Sequence, residues 1–311
     1  MVRPSIKGLE HVSDVVTETN RIIEMYKTGL IKPYKTFSAK LNDKITGIYK
    51  GDQIVIAGRS GTGKSAYALM LIKELAVKYP ELVIIYWTFE MKAWKNIARI
   101  YSSEMRIPVK DLLSATTQLS EENFISLINA GNDIKDLNMY FREIPVNYMQ
   151  WESKVREIQK IFPNQTIVNV VDHFRLTTSA NERTEEEKIT NLSRAGVRVK
   201  NELECINIFL SQLNRKIEEG DRTDVGTTGI LQSYIFGGDS IVQDSDLILA
   251  LHRPEVYQLS RYKGLDTKNL IVTQILKQRE GELCEIAMYH NLAINKIYDN
   301  LPTQGQLNFN I

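Results

Sequence analysis

The stretch GRSGTGKS at residues 58–65 decides the fold prediction, because its spacing, G-x-x-x-x-G-K-S, is that of a phosphate-binding loop. The apolar segment QIVIAG (53–58) precedes it, and the helical pattern SAYALMLIKELAVKY (65–79) follows it. In that context the glycines let backbone N–H groups approach phosphate, and the helix adds its positive N-terminal dipole. We therefore predict a nucleotide-binding loop. Its predicted contact residues are Ser60, Gly61, Thr62, Gly63, Lys64, Ser65 and Ala66.

Two residues of this loop and one distant carboxylate form the expected ATP and Mg²⁺ site. Lys64 is expected to reach the β and γ phosphates, and the Ser65 hydroxyl is placed to bind Mg²⁺. Asp172 ends the buried-type segment TIVNVVD (166–172), at a strand end where doubly wound sheets bind ligands. We predict Asp172 as the second Mg²⁺ anchor, and the alternative is a cap for the following turn. The predicted cofactors are ATP and Mg²⁺.

A base that activates water is expected outside the loop, since His173, and not a glutamate, follows Asp172. Glu90 ends the mostly apolar segment LVIIYWTFE (82–90). Because burial of a carboxylate there would be costly without a function, we predict that Glu90 orients and deprotonates the attacking water. The alternative is a surface glutamate that opens the next helix.

Three further polar residues are candidates for catalysis. Gln212, at the end of an apolar segment, could touch the γ-phosphate, or it could be no more than a polar strand end. Lys277 and Arg279 stand two apart on a predicted strand, which puts them on one face. They could project into the ATP site of a neighbouring subunit as an arginine finger does. The alternative is a solvated basic face.

The composition is that of a folded chain with balanced charge. The 311 residues are 43% hydrophobic, enough for a sizeable core. Lys and Arg total 39 against 38 Asp and Glu, so any nucleic-acid site must gather its positive charge locally. Two cysteines are too few for a disulfide framework, and no signal peptide or membrane span is recognisable. We expect a cytoplasmic protein with no membrane partner.

Alternating apolar strands and helices predict an α/β fold whose mostly parallel sheet is covered on both faces. The segments NLIVTQILKQRE (269–280) and LCEIAMYHN (283–291) predict an antiparallel hairpin at one edge. Residues 8–28 have apolar side chains at helical spacing and predict a lone amphipathic helix. We divide the chain into an N-terminal arm, 1–35, and one α/β domain, 36–311. The arm packs on its own domain or docks on a neighbouring subunit.

Five motifs, in this order, resemble those of the ATPase domain of the DnaB-type replicative helicases, a hexameric RecA-like family. The family patterns are F-S-L-E-M, D-Y-L-Q-L, S-Q-L-N-R, I-E-Q-D-A-D and K-Q-R-N-G. The corresponding stretches here are YWTFEM (86–91), VVDHFRL (170–176), SQLNR (211–215), SIVQDSD (240–246) and KQREG (277–281). The order and separations agree from about residue 10 to residue 299, which makes the resemblance highly specific although each motif is weak.

The resemblance implies a RecA-like P-loop NTPase core and a role for each candidate. Lys64 and Ser65 would act on ATP and Mg²⁺, Glu90 as the base, Asp172 on Mg²⁺ and Gln212 as a sensor. Lys277 and Arg279 would act in trans. The early helix would be a linker that packs on the adjacent subunit and closes a ring.

Two departures from the family are visible. The chain has no room for an N-terminal primase-binding domain, so we expect a compact form, from a phage or mobile element in a host cytoplasm, or one completed by a partner. In the DNA-facing loop, where the family has D-L-R-E-S-G, this chain has YIFGGDS (234–240), with Phe236 at the arginine position. Backbone N–H groups at Gly237 and Gly238 could hold phosphate, and Phe236 could stack on a base. The alternative is a reshaped loop with Phe236 packed inward.

A second candidate for DNA contact is the polar stretch EEGDRTDVGTTG (218–229) with Lys216 and Arg222. The leading hypothesis is a ring-forming ATP hydrolase that translocates on single-stranded DNA and unwinds duplex, with a primase or helicase loader as a further partner. The alternative is a RecA-like ATPase that acts as an assembly or loading switch without unwinding. A small-molecule kinase is disfavoured by Gln212 and the basic pair near the C-terminus.

Overall fold

A computed structural model describes residues 9–174, 177–214 and 229–302. The chain forms two compact units, Met1–Tyr34 and Lys35–Ile311. Lys216 and Arg222, two of the predicted DNA-contact residues, lie outside the described residues. No described helix is both long enough and apolar enough to cross a membrane.

In the first unit, residues 9–34 are described, and they contain the helix α1 (Val12–Lys27), which confirms the helix predicted over 8–28. The His11 side chain accepts a hydrogen bond from the backbone N–H of Ser13 and caps its N-terminus. No residue of α1 is buried, and its apolar side chains, Val12 and Val16 among them, are exposed.

The second unit is built from helices and strands that alternate along most of the chain. Its described helices are α2 (Ala39–Ile45), α3 (Lys64–Lys78), α4 (Ala93–Met105), α5 (Val109–Leu112), α6 (Glu121–Ile134), α7 (Tyr148–Ile161), α8 (Glu185–Leu203) and α9 (Gly238–Asp244). Short 3-10 turns lie at Gln232–Tyr234, Pro254–Tyr257 and Leu292–Ile294.

The described strands form one large and one small sheet. They are β1 (Gln53–Gly58), β2 (Leu82–Thr88), β3 (Met139–Arg142), β4 (Thr166–Asp172), β5 (Ile206–Gln212), β6 (Leu247–His252), β7 (Arg261–Tyr262), β8 (Leu265–Asp266), β9 (Leu270–Gln278), β10 (Glu285–Asn291) and β11 (Lys296–Tyr298). The large sheet has the order β11-β10-β9-β6-β1-β5-β4-β2-β3, and β7 pairs with β8.

The large sheet is parallel from β6 to β3 and antiparallel from β6 to β11. Strand β1 pairs in parallel with both β5 and β6, and β9 runs antiparallel to β6 and β10. This arrangement confirms the mostly parallel sheet and the antiparallel pair predicted near the C-terminus. The pair is not the edge itself, however, because β11 adds a further strand beyond β10.

Continuous apolar runs form the central strands because both faces of the sheet are covered. Every residue of β1, β2 and β4 is buried. Val55 and Ala57 belong to the core beneath α7 and α8, together with Trp151 and Phe209. Side chains alternate along a strand, so Ile54 and Ile56, also buried, face the other side of the sheet. Because β1, β5 and β4 are parallel neighbours, their carboxyl ends lie at the same end of the sheet, and the residues that follow them form the candidate site.

Candidate nucleotide-binding site

The phosphate loop leaves β1 at Gly58 and enters α3 at Lys64, as its sequence predicts. Gly61 and Gly63 have positive φ angles of 76° and 96°, a region that other residues rarely adopt. The Thr62 hydroxyl and backbone N–H both donate to the carbonyl of Arg59, at 2.7 and 3.2 Å. These two bonds close the loop on its own backbone.

A cavity of about 230 Å³ lies over this loop and collects most of the predicted site. It is lined by Ser60, Gly61, Gly63, Lys64, Ser65, Ala66, Glu90, Arg99, His173, Gln212, Leu292 and Asn295. Thr62 and Asp172 are buried behind this lining. The structure thus brings the loop together with the predicted base, Glu90, and the predicted sensor, Gln212.

A larger cleft, of about 530 Å³, lies beside the first turn of α8. Glu182, Glu186 and Glu187 line it, with Arg194 as its basic residue. Its three carboxylates against one arginine repel the phosphates of a nucleotide. The smaller cavity, with the basic side chains of Lys64 and Arg99 and the single carboxylate of Glu90, is therefore the candidate nucleotide site.

The Lys64 ammonium is held by the loop itself. Its Nζ donates to the carbonyls of Gly58 and Arg59, at 2.8 and 2.9 Å. Burial lowers the pKa of Lys64 to about 8; the carboxylates of Asp172 and Glu90 oppose this, and Arg59 adds to it. A triphosphate beside Nζ would stabilise the charged form and raise that pKa again.

Asp172 ends β4 with its carboxylate buried beside the loop. The Tyr86 hydroxyl donates to Asp172 Oδ2 at 2.9 Å, and burial together with that carboxylate raises the pKa of Tyr86 well above its usual value. Tyr86 therefore stays protonated and keeps donating. The Asp172 carboxylate and the Ser65 hydroxyl are oxygen donors of the kind Mg²⁺ prefers, so the residues fit that ion. Among the described residues no group of three or more His, Cys, Asp or Glu could hold a metal by itself.

Glu90 lies beyond the end of β2 with 53% of its side chain exposed. The expectation that burial makes this carboxylate costly is therefore wrong, because β2 ends at Thr88 and the chain passes through the partly buried Phe89 to an exposed Glu90. Glu90 nevertheless lines the cavity and is open to water, and this position supports its prediction as the base. Glu90 Oε2 lies 3.8 Å from His173 Nε2.

His173 and Arg99 line the cavity although sequence reasoning assigned them no role. The His173 Nε2 atom lies 2.9 Å from Nε2 of Gln212, because β4 and β5 are neighbours and end together. Arg99 comes from α4, the helix that follows Glu90. Arg99 lies two turns into the helix that follows the predicted base, and this spacing is a sequence signal by which it could be found.

Lys277 and Arg279 lie far from this cavity in their own chain. Gln278 is paired with Leu247 at the start of β6, whereas the phosphate loop begins beside Leu251, near the end of that strand. Four residues at about 3.3 Å each separate the two levels by about 13 Å. Lys277 Nζ donates to the carbonyls of Val242 and Gln243, the latter at 3.0 Å, and burial lowers the pKa of Lys277.

The prediction that Lys277 and Arg279 share one face of a strand is wrong for Arg279. Strand β9 ends at Gln278, so Arg279 lies in the bend that follows it. Its side chain is 64% exposed, and its Nε lies 2.5 Å from Oδ1 of Asp246. Arg279 is therefore on the surface near the amino ends of the parallel strands, whereas the cavity lies at their carboxyl ends.

The predicted DNA-facing loop packs closely where it is described. Phe236 is half-buried against the core, as in the inward-packed alternative, and its N–H donates to the Gln212 carbonyl at 3.1 Å. Gly237 has a φ of 94° and precedes α9, which begins at Gly238. A Cβ on Gly237 would lie 2.6 Å from Ile189 Cγ2, so glycine permits the close packing of α9 on α8.

The sequence of the second unit matches a known family. The model of the DnaB-like helicase C-terminal domain matches residues 34–299. The chain belongs to the DnaB-like helicase C-terminal domain family. This membership confirms the family that the five motifs predict.

The DnaB-like relatives extend the match over nearly the whole chain. Replicative DNA helicase DnaB of Geobacillus stearothermophilus is 27% identical over 294 residues, which are 93% of this chain and 62% of that protein. Replicative DNA helicase DnaC of Bacillus subtilis (strain 168) is 26% identical over 299 residues, 94% of this chain and 63% of that protein. The chain thus spans less than two thirds of the length of these relatives.

Solved structures show the same fold. An ATPase domain is similar with a TM-score of 0.81 and 22% identity, and the match covers 94% of this chain and all of that one. A DnaB-like replicative helicase, described with its interactions with primase, gives a TM-score of 0.79 and 21% identity over 94% of this chain and 67% of its own. The DnaB-like α/β fold predicted from the sequence is confirmed.

Proposed function

We propose that this chain is the motor part of an ATP-dependent replicative DNA helicase, which hydrolyses ATP between subunits and translocates on single-stranded DNA. One observation carries the proposal. The cavity contains Lys64, Ser65, Glu90 and Gln212 at the carboxyl ends of the parallel strands. Arg279 is exposed near the amino ends of the same strands. Such a chain has one half of an ATP site at each side, and the named replicative helicases among its relatives support the assignment.

The chemistry assigned to the chain's own residues is phosphoryl transfer to water. Lys64 leaves the two loop carbonyls that it now contacts and binds the β and γ phosphates, while backbone N–H groups of the loop cradle them. Ser65 and Asp172 would hold Mg²⁺, which neutralises charge on the phosphates when bound. Glu90 accepts a proton from the attacking water at the open mouth of the cavity.

Charge that develops on the γ-phosphate needs a further donor, and we assign it to the neighbouring subunit. Arg279 and Lys277 cannot reach their own cavity, which lies about four strand residues away. Exposed at the sheet edge, Arg279 can enter the cavity of a second copy and act as an arginine finger. Copies joined in this manner form a ring, for which we propose a hexamer. The exposed apolar side of α1 is proposed as an arm that docks on another copy.

Coupling to DNA is assigned to the chain that follows β5. The N–H of Phe236 is bonded to the carbonyl of Gln212, so a shift of Gln212 on hydrolysis displaces the start of α9. Single-stranded DNA is the proposed partner of this loop, through Phe236 and the backbone at Gly237 and Gly238. Primase or a helicase loader is a further proposed partner, since one structural neighbour is described with its interactions with primase.

The first experiment measures steady-state ATP hydrolysis against the concentration of single-stranded DNA, together with strand displacement. We expect stimulation by DNA, with less of it in Phe236→Ala. Stimulation that persists in this variant would move the DNA contact to another loop. Assembly on ATP with slow turnover, and with no response to DNA, would refute the helicase and favour a loading switch.

A mixing experiment tests the shared site. Lys64→Ala subunits lack a working nucleotide loop but still carry Arg279, whereas Arg279→Ala subunits carry the complementary defect. Lys64→Ala alone is expected to be inactive and Arg279→Ala alone to hydrolyse ATP only slowly, and a mixture should recover part of the wild-type hydrolysis. Inactive mixtures of variants that still assemble would refute the trans assignment.

A further inference from the structure

The start of β6 carries a buried carboxylate that contacts two cations. Asp246 has a side chain only 10% exposed, and its two oxygens have different partners. Oδ2 lies 2.6 Å from Lys200 Nζ and accepts the backbone N–H of Gln53 at 2.7 Å. Oδ1 lies 2.5 Å from Nε of Arg279.

The bonds to Oδ2, the inner oxygen of Asp246, fix the orientation of this carboxylate. Lys200, from α8, is itself buried and also donates to the Gly51 carbonyl at 2.9 Å. The backbone N–H of Asp246 donates to the carbonyl of Gln53 at 2.8 Å. Two bonds thus hold Asp246 against Gln53, the first residue of β1, and a third holds it to Lys200. Rotation of the carboxylate would break the two that reach Oδ2.

Oδ1, the outer oxygen of Asp246, contacts Arg279, whose side chain is mostly exposed to solvent. Arg279 lies beyond the end of β9, and an exposed arginine there samples many rotamers. The contact uses Nε, the guanidinium nitrogen nearest the backbone, and 64% of the side chain stays exposed. Because Nε makes this contact and most of the side chain stays exposed, we infer that the two terminal nitrogens can bind a phosphate. Lys200 is already neutralised through Oδ2, so Oδ1 is not required for its burial.

We propose that Asp246 is a positioning residue for Arg279. It holds the guanidinium in the one orientation that reaches the γ-phosphate in the neighbouring copy, and it does not touch the nucleotide itself. This inference rests on the proposed function, in which Arg279 acts in trans. Preorganisation of a charged donor matters because misplacement of a catalytic group by about 1 Å reduces turnover by up to about a hundredfold.

A double-mutant cycle tests the proposal. Asp246→Asn keeps the side-chain volume and can still accept the Gln53 N–H, but it loses the charge that orients Arg279. In the wild-type background we expect kcat for ATP to fall about ten- to a hundredfold, with KM nearly unchanged. In the Arg279→Ala background, measured by single-turnover hydrolysis, the same substitution should add no further loss.

Equal losses of kcat in both backgrounds, or no loss in the wild-type background, would overturn the positioning role. Arg279→Ala with wild-type turnover would instead refute the trans function of Arg279, which separates the two failures. Because Asp246→Asn removes the counter-charge of Lys200, melting temperature and nucleotide binding are measured for each variant.

If Asp246→Asn does not fold, Arg279→Lys provides the second test, since it leaves the Asp246–Lys200 pair intact. Lysine has a single nitrogen where arginine has Nε for Oδ1 and two terminal nitrogens for the phosphate, so we expect a loss of kcat of the same order with KM nearly unchanged. Wild-type kcat in Arg279→Lys would overturn the proposal.

Discussion

Asp52, in the turn before β1, should make the protein less stable as the pH rises. Its Oδ2 accepts the backbone N–H of Tyr49 at 2.7 Å. Burial raises its pKa from the ordinary 3.8 to about 6, the nearby Asp246 carboxylate adds to the rise, and the Tyr49 N–H, Lys200 and Arg279 oppose it. The folded chain thus binds this proton more tightly than the unfolded chain does. Its stabilising contribution is complete below about pH 4 and is lost as the pH rises through about 6.

The magnitude follows from the same values. A rise from 3.8 to about 6, at about 1.4 kcal/mol for each pH unit, gives a penalty of about 3 kcal/mol for the ionised carboxylate above pH 7. Solvent around the half-buried side chain reduces it, so we take about 1–3 kcal/mol. Asp52→Asn removes the charge and keeps an oxygen for the Tyr49 N–H. We therefore expect Asp52→Asn to be more stable than wild type by this amount at pH 8, and to differ little near pH 4.

The assay is urea unfolding of both proteins at a series of pH values from 4 to 8, with melting temperature as a second measure. Effects of pH on groups that do not interact with residue 52 cancel in the difference between the two curves. Asp43→Asn, an exposed site in α2, makes the same chemical change as a control and should shift stability by less than about 0.5 kcal/mol. A stabilisation that is equal at pH 4 and pH 8, or a destabilisation at pH 8, would refute the reasoning.

Two further predictions concern the cavity. Glu90→Gln should bind ATP with near wild-type affinity and hydrolyse it about 10²- to 10⁴-fold more slowly, since only the proton acceptor is lost; phosphate release and nucleotide fluorescence measure the two quantities, and an unchanged rate would exclude Glu90 as the base. Gly63→Ala should weaken nucleotide binding, because an added Cβ would lie 3.0 Å from Leu292 Cδ2 at a φ of 96°. Gly264→Ala is the matched control, with a φ of 85° and no atom within 4 Å, and it should leave nucleotide affinity unchanged.

The elements nearest the phosphate loop could be predicted from the sequence because local signals agree there. The apolar run of β1, the glycines and the helical pattern of α3 each constrain the same few residues, and the structure places their boundaries at Gly58 and Lys64. Asp172 and Gln212 could be located as strand ends for the same reason. Their roles at the site stay predictions that the proposed variants test.

Elements with weaker patterns were missed. Helix α6 (Glu121–Ile134) buries only Ala130, and its large apolar side chains Phe124, Ile125 and Ile128 are exposed. Strand β11 has three residues, too few for alternation to be recognised. Both add to the periphery and leave the site unchanged.

Pairwise contacts across the sheet could not be read from a linear chain. Asp246 and Arg279 are brought together only because β9 returns antiparallel along β6, and Lys200 joins them from α8. His173 lies against Gln212 only because β4 and β5 are neighbours in the strand order. A motif indicates which residue types are present, whereas the strand order decides which of them meet.

Strand β1 connects the two halves of the proposed machinery. Its last residue, Gly58, opens the loop for the chain's own nucleotide, and its first, Gln53, is bonded to Asp246, which holds Arg279. All six residues of β1 are buried between β5 and β6, so the strand cannot bend without disturbing the centre of the sheet. If Arg279 acts in the neighbouring site, a shift at one phosphate loop reaches the next site through a rigid strand and one ion pair. Asp246→Asn breaks this connection at its weakest point, because an ion pair at the surface is exchanged more readily than a buried strand is deformed.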